Sequence, residues 1–533
     1  MELGALVGAS TVVAATRSRT AKVAELARVL KLAAAAGERE VILATAFLSG
    51  RVPHGRLGVG YRTIASLPPA AGVATLTLAD VDTAFTALAT ASGSGSATTR
   101  RTTLDALFSA ATEAERDFLA GLVTGEVRQG ALDGIMQLAV AQAAGVPLES
   151  VRRAAMLAGT LDPVAVVALS HGAQGLAEIL LQVLRPIAPM LAASAPNVAD
   201  ATTTGGPWSV ERKLDGIRIQ AHKSGDEVRV FTRSLDDITD RLPEVVEVVA
   251  ALPAETLVLD GEAIALRPDG RPEPFQITGA RTASSRDPAQ LREQTPLTTY
   301  VFDVLHIDGT SLLDEPLGAR RDVLNGILPL KNRVASAVTD DPAVAQQFFE
   351  DQVAAGHEGV VIKDLASPYA AGRRGGSWVK VKPRHTLDLV VLAVERGSGR
   401  RRGTLSNIHL GARSGDGFIM LGKTFKGMTD EMLAWQTTRF TELATDDNGW
   451  VVTVRPEQVV EIAFDGLQRS SRYPGGLALR FARVLRYRDD KSANEADTIE
   501  SVRKLAGPPL STSPSREDEH PGFPRTFWQD EGA

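Results

Sequence analysis

Cysteine is absent from all 533 residues. Disulfides, thiolate nucleophiles and cysteine-ligated zinc are therefore excluded, and the cytoplasm is the expected compartment. No run approaches eighteen consecutive apolar residues, so nothing is expected to span a membrane. The start, Met1-Glu-Leu-Gly-Ala-Leu, lacks the basic n-region of a signal peptide. Internal repeats are also missing. So is any overall excess of positive charge: the net charge of −6 by itself argues weakly against nucleic-acid binding.

What is present is a soluble globular composition, 44% hydrophobic. The chain is too long for one core, and three or four domains are expected. The average charge hides two basic runs. Residues 372–414 hold ten Lys/Arg against two acids, and residues 466–491 hold seven against two. Mixed signs are the norm on a solvated surface, so runs this lopsided suggest contact with a polyanion.

Residues 1–193 read as helical. Ala21–Ala36 and Thr103–Val123 carry apolar residues at spacings of three and four, and Asp162-Pro163 reads as an N-cap followed by proline at N1. The Pro- and Ala-rich stretch from Arg185 to Asp200 reads as an interdomain connection, with a linker placed at 194–206. From 207 to 384 the pattern changes to β-branched runs at Val228–Arg233, Thr256–Leu266, Thr298–Asp308, Gly359–Asp364 and Ser377–Lys382. Residues 385–504 add strand-like Leu389–Val394, Gly417–Leu421, Trp450–Val454 and Val459–Phe464, with little that looks helical, as in a small β-barrel. Residues 505–533, rich in Pro, Ser and acids, are expected to be disordered.

The chemistry gathers around Glu211-Arg-Lys-Leu-Asp-Gly216, where Lys213 stands as a strand gives way to a turn. By itself Lys-x-Asp-Gly is weak and fits an ordinary surface turn. The residues that follow it change the odds. Asp260-Gly-Glu262 puts two carboxylates on one face of an otherwise apolar strand, where acids usually serve a metal or a cation. Lys380 and Lys382 repeat that geometry with positive sign, and such a pair repels itself unless an anion lies between. Glu358 and Lys363 bracket one more apolar strand. Together these offer an amine nucleophile, carboxylates for Mg²⁺ and cations for phosphate, as a nucleotidyl transfer requires. The obstacle is protonation, since only about one ordinary lysine in 2,500 is neutral at pH 7. Metal charge and neighbouring lysines are expected to lower the Lys213 pKa.

The ordered series resembles the ATP-dependent DNA ligases of the covalent nucleotidyltransferase superfamily. The matching stretches are Glu211-Arg-Lys-Leu-Asp-Gly-Ile-Arg218, Phe231-Thr-Arg233, Leu259-Asp-Gly-Glu262, Tyr300-Val-Phe-Asp303, Glu358-Gly-Val-Val-Ile-Lys363, Trp378-Val-Lys-Val-Lys382 and the run from Leu479 to Lys491. The resemblance implies a multidomain fold: an all-α DNA-binding domain, an α+β adenylation core and a C-terminal OB-fold barrel. It also implies roles. Lys213 takes AMP from ATP, Glu211 reads the adenine, and Arg218 and Arg233 hold the ribose and its neighbours. Phe302 stacks on the base. Glu262 and Glu358 serve Mg²⁺ and ribose, while Lys363, Arg374, Lys380 and Lys382 complete the nucleotide site. Arg488, Asp490 and Lys491 orient pyrophosphate during self-adenylation.

Leu122-Val-Thr-Gly-Glu-Val-Arg-Gln-Gly-Ala-Leu132 resembles a signature of the helical DNA-binding domain, with Arg128 as a candidate phosphate contact. Ala482 departs from the family's usual proline. With no cysteine zinc module, ATP is favoured over NAD as the AMP donor, and the chain resembles the stand-alone bacterial type often called ligase B. The expected partner is nicked duplex DNA, encircled by a monomer in the nucleoid. Two other readings stay open: an RNA ligase or guanylyltransferase of the same superfamily, and a DNA-binding scaffold without catalysis.

Overall fold

A computed structural model describes residues 1–505 apart from 56, 65–68, 128–132, 204, 285, 371–373 and 399–400; the side chains of residues 61, 62 and 374 also lie outside the description. The chain forms two compact units, Met1–Lys382 and Pro383–Ala533. Among the described residues no helix is long and apolar enough to cross a membrane. The expected tail lies outside the described residues from 506 onward.

The first unit opens with helices, from Leu3–Ala15 to Asp162–Ala177. Their apolar faces share one core that includes Leu26, Leu30, Phe47, Phe85, Phe108 and Val140. The periodic stretch Thr103–Val123 is two helices, Ser96–Ala110 and Glu113–Thr124. Thr112 separates them: its hydroxyl accepts from the Glu115 amide at 3.4 Å and the Glu115 carboxylate accepts from the Thr112 amide at 2.9 Å. This reciprocal cap starts a new helix where the apolar spacing alone reads straight through. Asp162 is the first helical residue rather than the N-cap, which is Leu161. An ion pair takes the place of capping, since the Asp162 carboxylate turns to Arg51 at 2.5 Å.

The expected connection is built structure. The Ile187 amide donates to Gln220 Oε1 at 2.8 Å and its carbonyl accepts from Gln220 Nε2 at 3.1 Å. His222 Nδ1 accepts from the Leu184 amide at 3.0 Å, which leaves the ring proton on Nε2 to donate to Gln220 Oε1 at 2.9 Å. Burial pushes this imidazole down to about 3, in keeping with a neutral ring. Met156 and Leu157 of the helix Leu148–Ala158 pack with Ile187 and Met190, so the helical part rests directly on this segment. The strand Leu191–Ala195 crosses the boundary drawn at 193, and the helix Val198–Ala201 lies inside the supposed linker.

The core strands are β1 (Leu191–Ala195), β2 (Trp208–Arg212), β3 (Ile217–Ser224), β4 (Glu227–Thr232), β5 (Thr256–Ala265), β6 (Leu297–Ile307), β7 (Thr310–Ser311), β8 (Ser336–Thr339), β9 (Val360–Asp364) and β10 (Arg374–Val381). They form two sheets, ordered β1-β10-β9-β2-β8 and β4-β3-β5-β6-β7. The five runs read from the β-branched pattern coincide with β4, β5, β6, β9 and β10 to within a few residues. Beneath β6, Asp303 and Arg320 form a pair with no exposed side-chain surface, bonded at 2.8 and 2.9 Å. Nη1 donates to the carbonyls of Glu315 and Ser367, so four of the five guanidinium donors have acceptors and the buried charge is paired.

The second unit contains β11 (His385–Arg396), β12 (Leu405–Ser414), β13 (Gly417–Thr424), β14 (Ala444–Asp447), β15 (Val451–Val454), β16 (Val459–Phe464), β17 (Gly466–Arg469), β18 (Leu477–Arg480) and β19 (Arg483–Tyr487). Its long strand β11 pairs with β16 along its first half and with β15 near its end, while β12 lines its other edge. Such a shared strand curls a sheet toward a barrel. The expectation of little helix fails at Asp430–Glu442. Thr429 caps it by accepting from the Met432 amide at 3.1 Å, two acids open its first turn, and Leu433, Gln436 and Phe440 are buried.

Asp303→Ala would leave the Arg320 guanidinium buried and unpaired, an expected loss of about 3–5 kcal/mol. The measurement is a denaturant titration with a probe in the Met1–Lys382 unit. Asp303→Leu with Arg320→Met should restore most of the loss. An unchanged midpoint in the single variant would show that the pair does not anchor β6.

Candidate active site

Lys213 leaves the end of β2 with its amide donating to the Gly359 carbonyl at 2.9 Å. Gly359 has φ +130°, and a Cβ there would stand 2.2 Å from the Val381 carbonyl. Only glycine lets the start of β9 lie this close to the end of β10. The close approach brings Glu358 between two lysines: Lys213 Nζ donates to Glu358 Oε2 and Lys382 Nζ to Glu358 Oε1. On the other side of Lys213 the turn at Gly216 is also fixed by backbone crowding. A Cβ on Gly216 would lie 2.5 Å from the Ala263 carbonyl, and the Gly216 amide donates to Glu262 Oε1 at 2.7 Å.

Strand register explains the rest of this wall. Ser209 pairs with Lys363, which pairs with Trp378; Glu211 pairs with Val361, which pairs with Lys380. Side chains in register across neighbouring strands share a face, so Glu211, Lys363, Trp378 and Lys380 lie on one surface. Glu211 Oε2 meets Lys363 Nζ at 2.6 Å, and that ammonium lies 4.3 and 4.1 Å from the ring centroids of Phe302 and Trp378. Arg218 of β3 lies against the same two rings, at 5.6 and 5.8 Å. The indole Nε1 of Trp378 is buried without a hydrogen-bond partner among the described residues.

Asp260 and Glu262, expected to act together on a metal or cation, have separate partners. Asp260 forms a bidentate pair with Arg218 at 3.0 and 2.6 Å and accepts from the Tyr369 hydroxyl at 2.7 Å. Glu262 faces Gly216 and Lys213. Burial pushes Glu262 up to about 7, against the pull of Lys213 and the Gly216 amide. Glu358 is also buried, yet Lys213 and Lys382 outweigh that and hold it down to about 2. Burial opposes the Lys213 ammonium, but Glu358, Glu262 and Asp215 together raise it above the ordinary lysine value. The expected depression draws on metal charge as well as on lysines; the protein's own charges pull the other way. The reason is geometric: Lys382 spends its charge on the far oxygen of Glu358, so Lys213 meets carboxylates first.

Other expected residues are dispersed. Arg233 is exposed in the loop after β4. Arg128 and the side chain of Arg374 lie outside the described residues. Arg488, Asp490 and Lys491 belong to the second unit, where Arg488 pairs with Asp490 at 2.7 Å and with Asp388 at 3.1 Å, and Lys491 meets Asp388 at 2.6 Å. Sequence reasoning misses Asp388, Tyr369 and Arg321, whose guanidinium reaches Glu211 at 2.9 Å. The pair Arg320-Arg321 on the helix Leu317–Ile327 is the available signal for the last. Among the described residues no group of three or more carboxylates or histidines forms a metal cage.

Comparison with known proteins gives a consistent picture. Residues 189–382 match the family described as ATP dependent DNA ligase domain, residues 401–491 the ATP dependent DNA ligase C terminal region, and residues 61–141 the DNA ligase N terminus. The chain is 57% identical over 509 residues to a probable DNA ligase of Kineococcus radiotolerans, covering 95% of this chain and 100% of that one. It is 58% identical over 517 residues to a probable DNA ligase of Beutenbergia cavernae, with the same coverage of 95% and 100%. The solved structure of Pmar-Lig_Pre shares the fold at a TM-score of 0.62 and 18% identity, covering 91% of this chain and 99% of that one.

Glu358→Gln should lower the Lys213 pKa, because it removes the strongest attraction on the ammonium. The neutral fraction at pH 8 then rises, about tenfold if the pKa falls by one. Reductive methylation followed by peptide mass spectrometry should find Lys213 modified at least about ten times faster in the variant. Equal rates would mean that Glu358 does not govern this amine.

Proposed function

The chain belongs to the ATP-dependent DNA ligases, and from that premise we propose that Lys213 carries the adenylate in sealing 5′-phosphate, 3′-hydroxyl nicks. The observation supporting this most is the convergence of Lys213, Glu358 and Lys382 where β2, β9 and β10 meet. In the first step the Lys213 ammonium loses its proton and Nζ attacks the α-phosphorus of ATP. A P–N bond forms, the bond to pyrophosphate breaks, and pyrophosphate leaves. A 5′-phosphate oxygen of the nick then attacks the same phosphorus, the P–N bond breaks, and DNA-adenylate results. Last, the 3′-hydroxyl attacks the 5′-phosphate, loses its proton and displaces AMP.

The residues of this chain divide the labour. Glu211 is assigned to the adenine and Phe302 to its face, since an aromatic ring suits a purine. Arg218 and Arg233 are assigned to the ribose and its neighbours, Arg374, Lys380 and Lys382 to phosphate oxygens, and Lys363 to the base end of the site beside Glu211. Arg488, Asp490 and Lys491 are assigned to the leaving pyrophosphate, which exists only in the first step.

Glu262 and Glu358 fit a divalent cation. Burial without a full cationic partner leaves Glu262 raised to about 7, which a metal would relieve. Mg²⁺ characteristically takes one or two carboxylates plus substrate phosphates, so a preformed cage is not required. When bound it supplies charge neutralisation at the phosphates. The DNA ligase N terminus match favours DNA over the RNA ligase and guanylyltransferase alternatives. A scaffold has no use for the Lys213 arrangement.

Lys213→Ala should abolish the covalent enzyme-AMP formed with α-labelled ATP, yet still bind nicked DNA and seal a pre-adenylated nick. An acid-labile AMP adduct on the variant would move the nucleophile elsewhere. We also assign the basic runs at 372–414 and 466–491 to phosphate contacts of a monomer that encircles duplex DNA. With about 6–10 such contacts, affinity should fall by roughly a thousandfold or more between 50 and 200 mM salt, with little sequence preference. A flat response in an anisotropy titration would remove the clamp.

A further inference from the structure

We infer that Arg321, which no nucleotide is assigned to touch, sets the preference for adenine by clamping Glu211 as a hydrogen-bond acceptor. The inference rests on the reading that Glu211 faces the base of ATP.

Arg321 lies on the helix Leu317–Ile327, next to Arg320. Consecutive helical residues point about 100° apart, and the two guanidiniums have different tasks. Arg320 turns inward to Asp303, whereas Arg321 reaches the β2–β8 edge of the nucleotide wall. Its Nη1 donates to Ser209 Oγ at 2.6 Å and to Glu211 Oε1 at 2.9 Å, and its Nη2 donates to Ser336 Oγ at 3.0 Å. Ser336 pairs with Glu211 across β8 and β2, so the guanidinium is anchored on both strands. Ser209 Oγ also donates to Glu211 Oε1, at 2.9 Å. Lys363 engages the other oxygen at 2.6 Å.

An ionised carboxylate accepts about four hydrogen bonds and donates none. Three of those sites are filled by Arg321, Ser209 and Lys363, which leaves one acceptor position on Oε2 in a fixed orientation. Adenine presents an amino donor at its 6-position, where guanine presents a carbonyl acceptor. A clamped, charged Glu211 therefore welcomes the first and repels the second. Without Arg321 the carboxylate loses its charged partner on Oε1 and the rotamer that partner holds. The same carboxylate can then turn away from the base, and the discrimination against a guanine carbonyl weakens with it. Arg321 is thus a positioning and specificity-determining residue.

The test is single-turnover formation of enzyme-nucleotide by the full chain, titrated with ATP and with GTP, for Arg321→Gln and Arg321→Lys. Losing a charge-assisted hydrogen bond predicts that Arg321→Gln raises half-saturating ATP by about ten-fold. Its ATP-over-GTP preference should narrow by a similar factor, with the maximal rate kept within about three-fold. Arg321→Lys, which keeps the charge but not the fork, should recover only part of both. Sealing of a pre-adenylated nick should not change, because ATP binding is already past. Unchanged half-saturation and preference would overturn the clamp, as would a parallel loss in sealing, which marks a merely structural role. Should Arg321→Gln not fold, Ser336→Ala removes one anchor of the guanidinium and should shift the same two quantities in the same direction. A wild-type protein that forms no enzyme-AMP at all would instead sink the ligase reading on which the clamp rests.

Discussion

One carboxylate shared by two lysines organises the place where β2, β9 and β10 meet. Glu358 stands at the mouth of β9 with Lys213 on one oxygen and Lys382 on the other. Buried, it would carry a large desolvation cost if alone; paired twice, it is held well below the ordinary carboxylate range. The backbone takes the form that permits this. Gly359 lets the chain pass against Val381, and its carbonyl takes the Lys213 amide. Any side chain at Gly359 would push β9 from β10 and separate the three charges. The location of Lys213 is thus a consequence of strand packing before it is a matter of chemistry.

The same rule, that a buried charge has a designated partner, extends along both sheets. Arg218 answers Asp260, Arg320 answers Asp303, and Lys363 answers Glu211. These pairs differ in what they leave open. The Asp303–Arg320 pair is sealed and its guanidinium is satisfied by carbonyls as well, so it serves the fold. Lys363 instead lies against two aromatic rings beside an indole N–H with no partner among the described residues, which is how a cleft waiting for a planar, polar guest is lined.

The strands and the order of the charged stretches are legible in the sequence because period-two patterning and Gly/Asp turns are local signals. The positions of Lys213, Glu358 and Lys382 follow from them, though the bridging does not. What escapes depends on partners far along the chain. The stretch from Arg185 to Asp200 reads as an interdomain connection by composition, yet Gln220 and Tyr369 satisfy the backbone of Ile187 and Met190 from 33 and 179 residues away, and His222 that of Leu184 just before it from 38. The helix Asp430–Glu442 is obscured by its strand-rich surroundings, although Thr429 and two acids mark its start. The direction in which the Lys213 pKa moves cannot be read from sequence, which offers a census of charges and not their distances. Lysines are in view, but the carboxylates are nearer.

These distances set opposite demands on the two ends of the cleft. If Lys213 carries the adenylate as proposed, its ion pair must open, because an ammonium bound to Glu358 has no lone pair with which to attack phosphorus. On the proposed reading, a divalent cation held by Glu262 and Glu358 would compete with Lys213 for Glu358, and the amine so released would no longer have a carboxylate holding its proton. If Glu211 reads the base as proposed, its ion pairs must stay closed, because base recognition needs an acceptor whose orientation does not change when the nucleotide arrives. The structure separates the two accordingly. Glu358 is held only by two flexible lysine stems among the described residues, each of which can swing away, whereas Glu211, besides Lys363 on Oε2, is held on Oε1 by a guanidinium itself tied to Ser209 and Ser336. Lysine is a point charge on a flexible stem and arginine a planar fork, and that difference suits the first pair to release and the second to persistence.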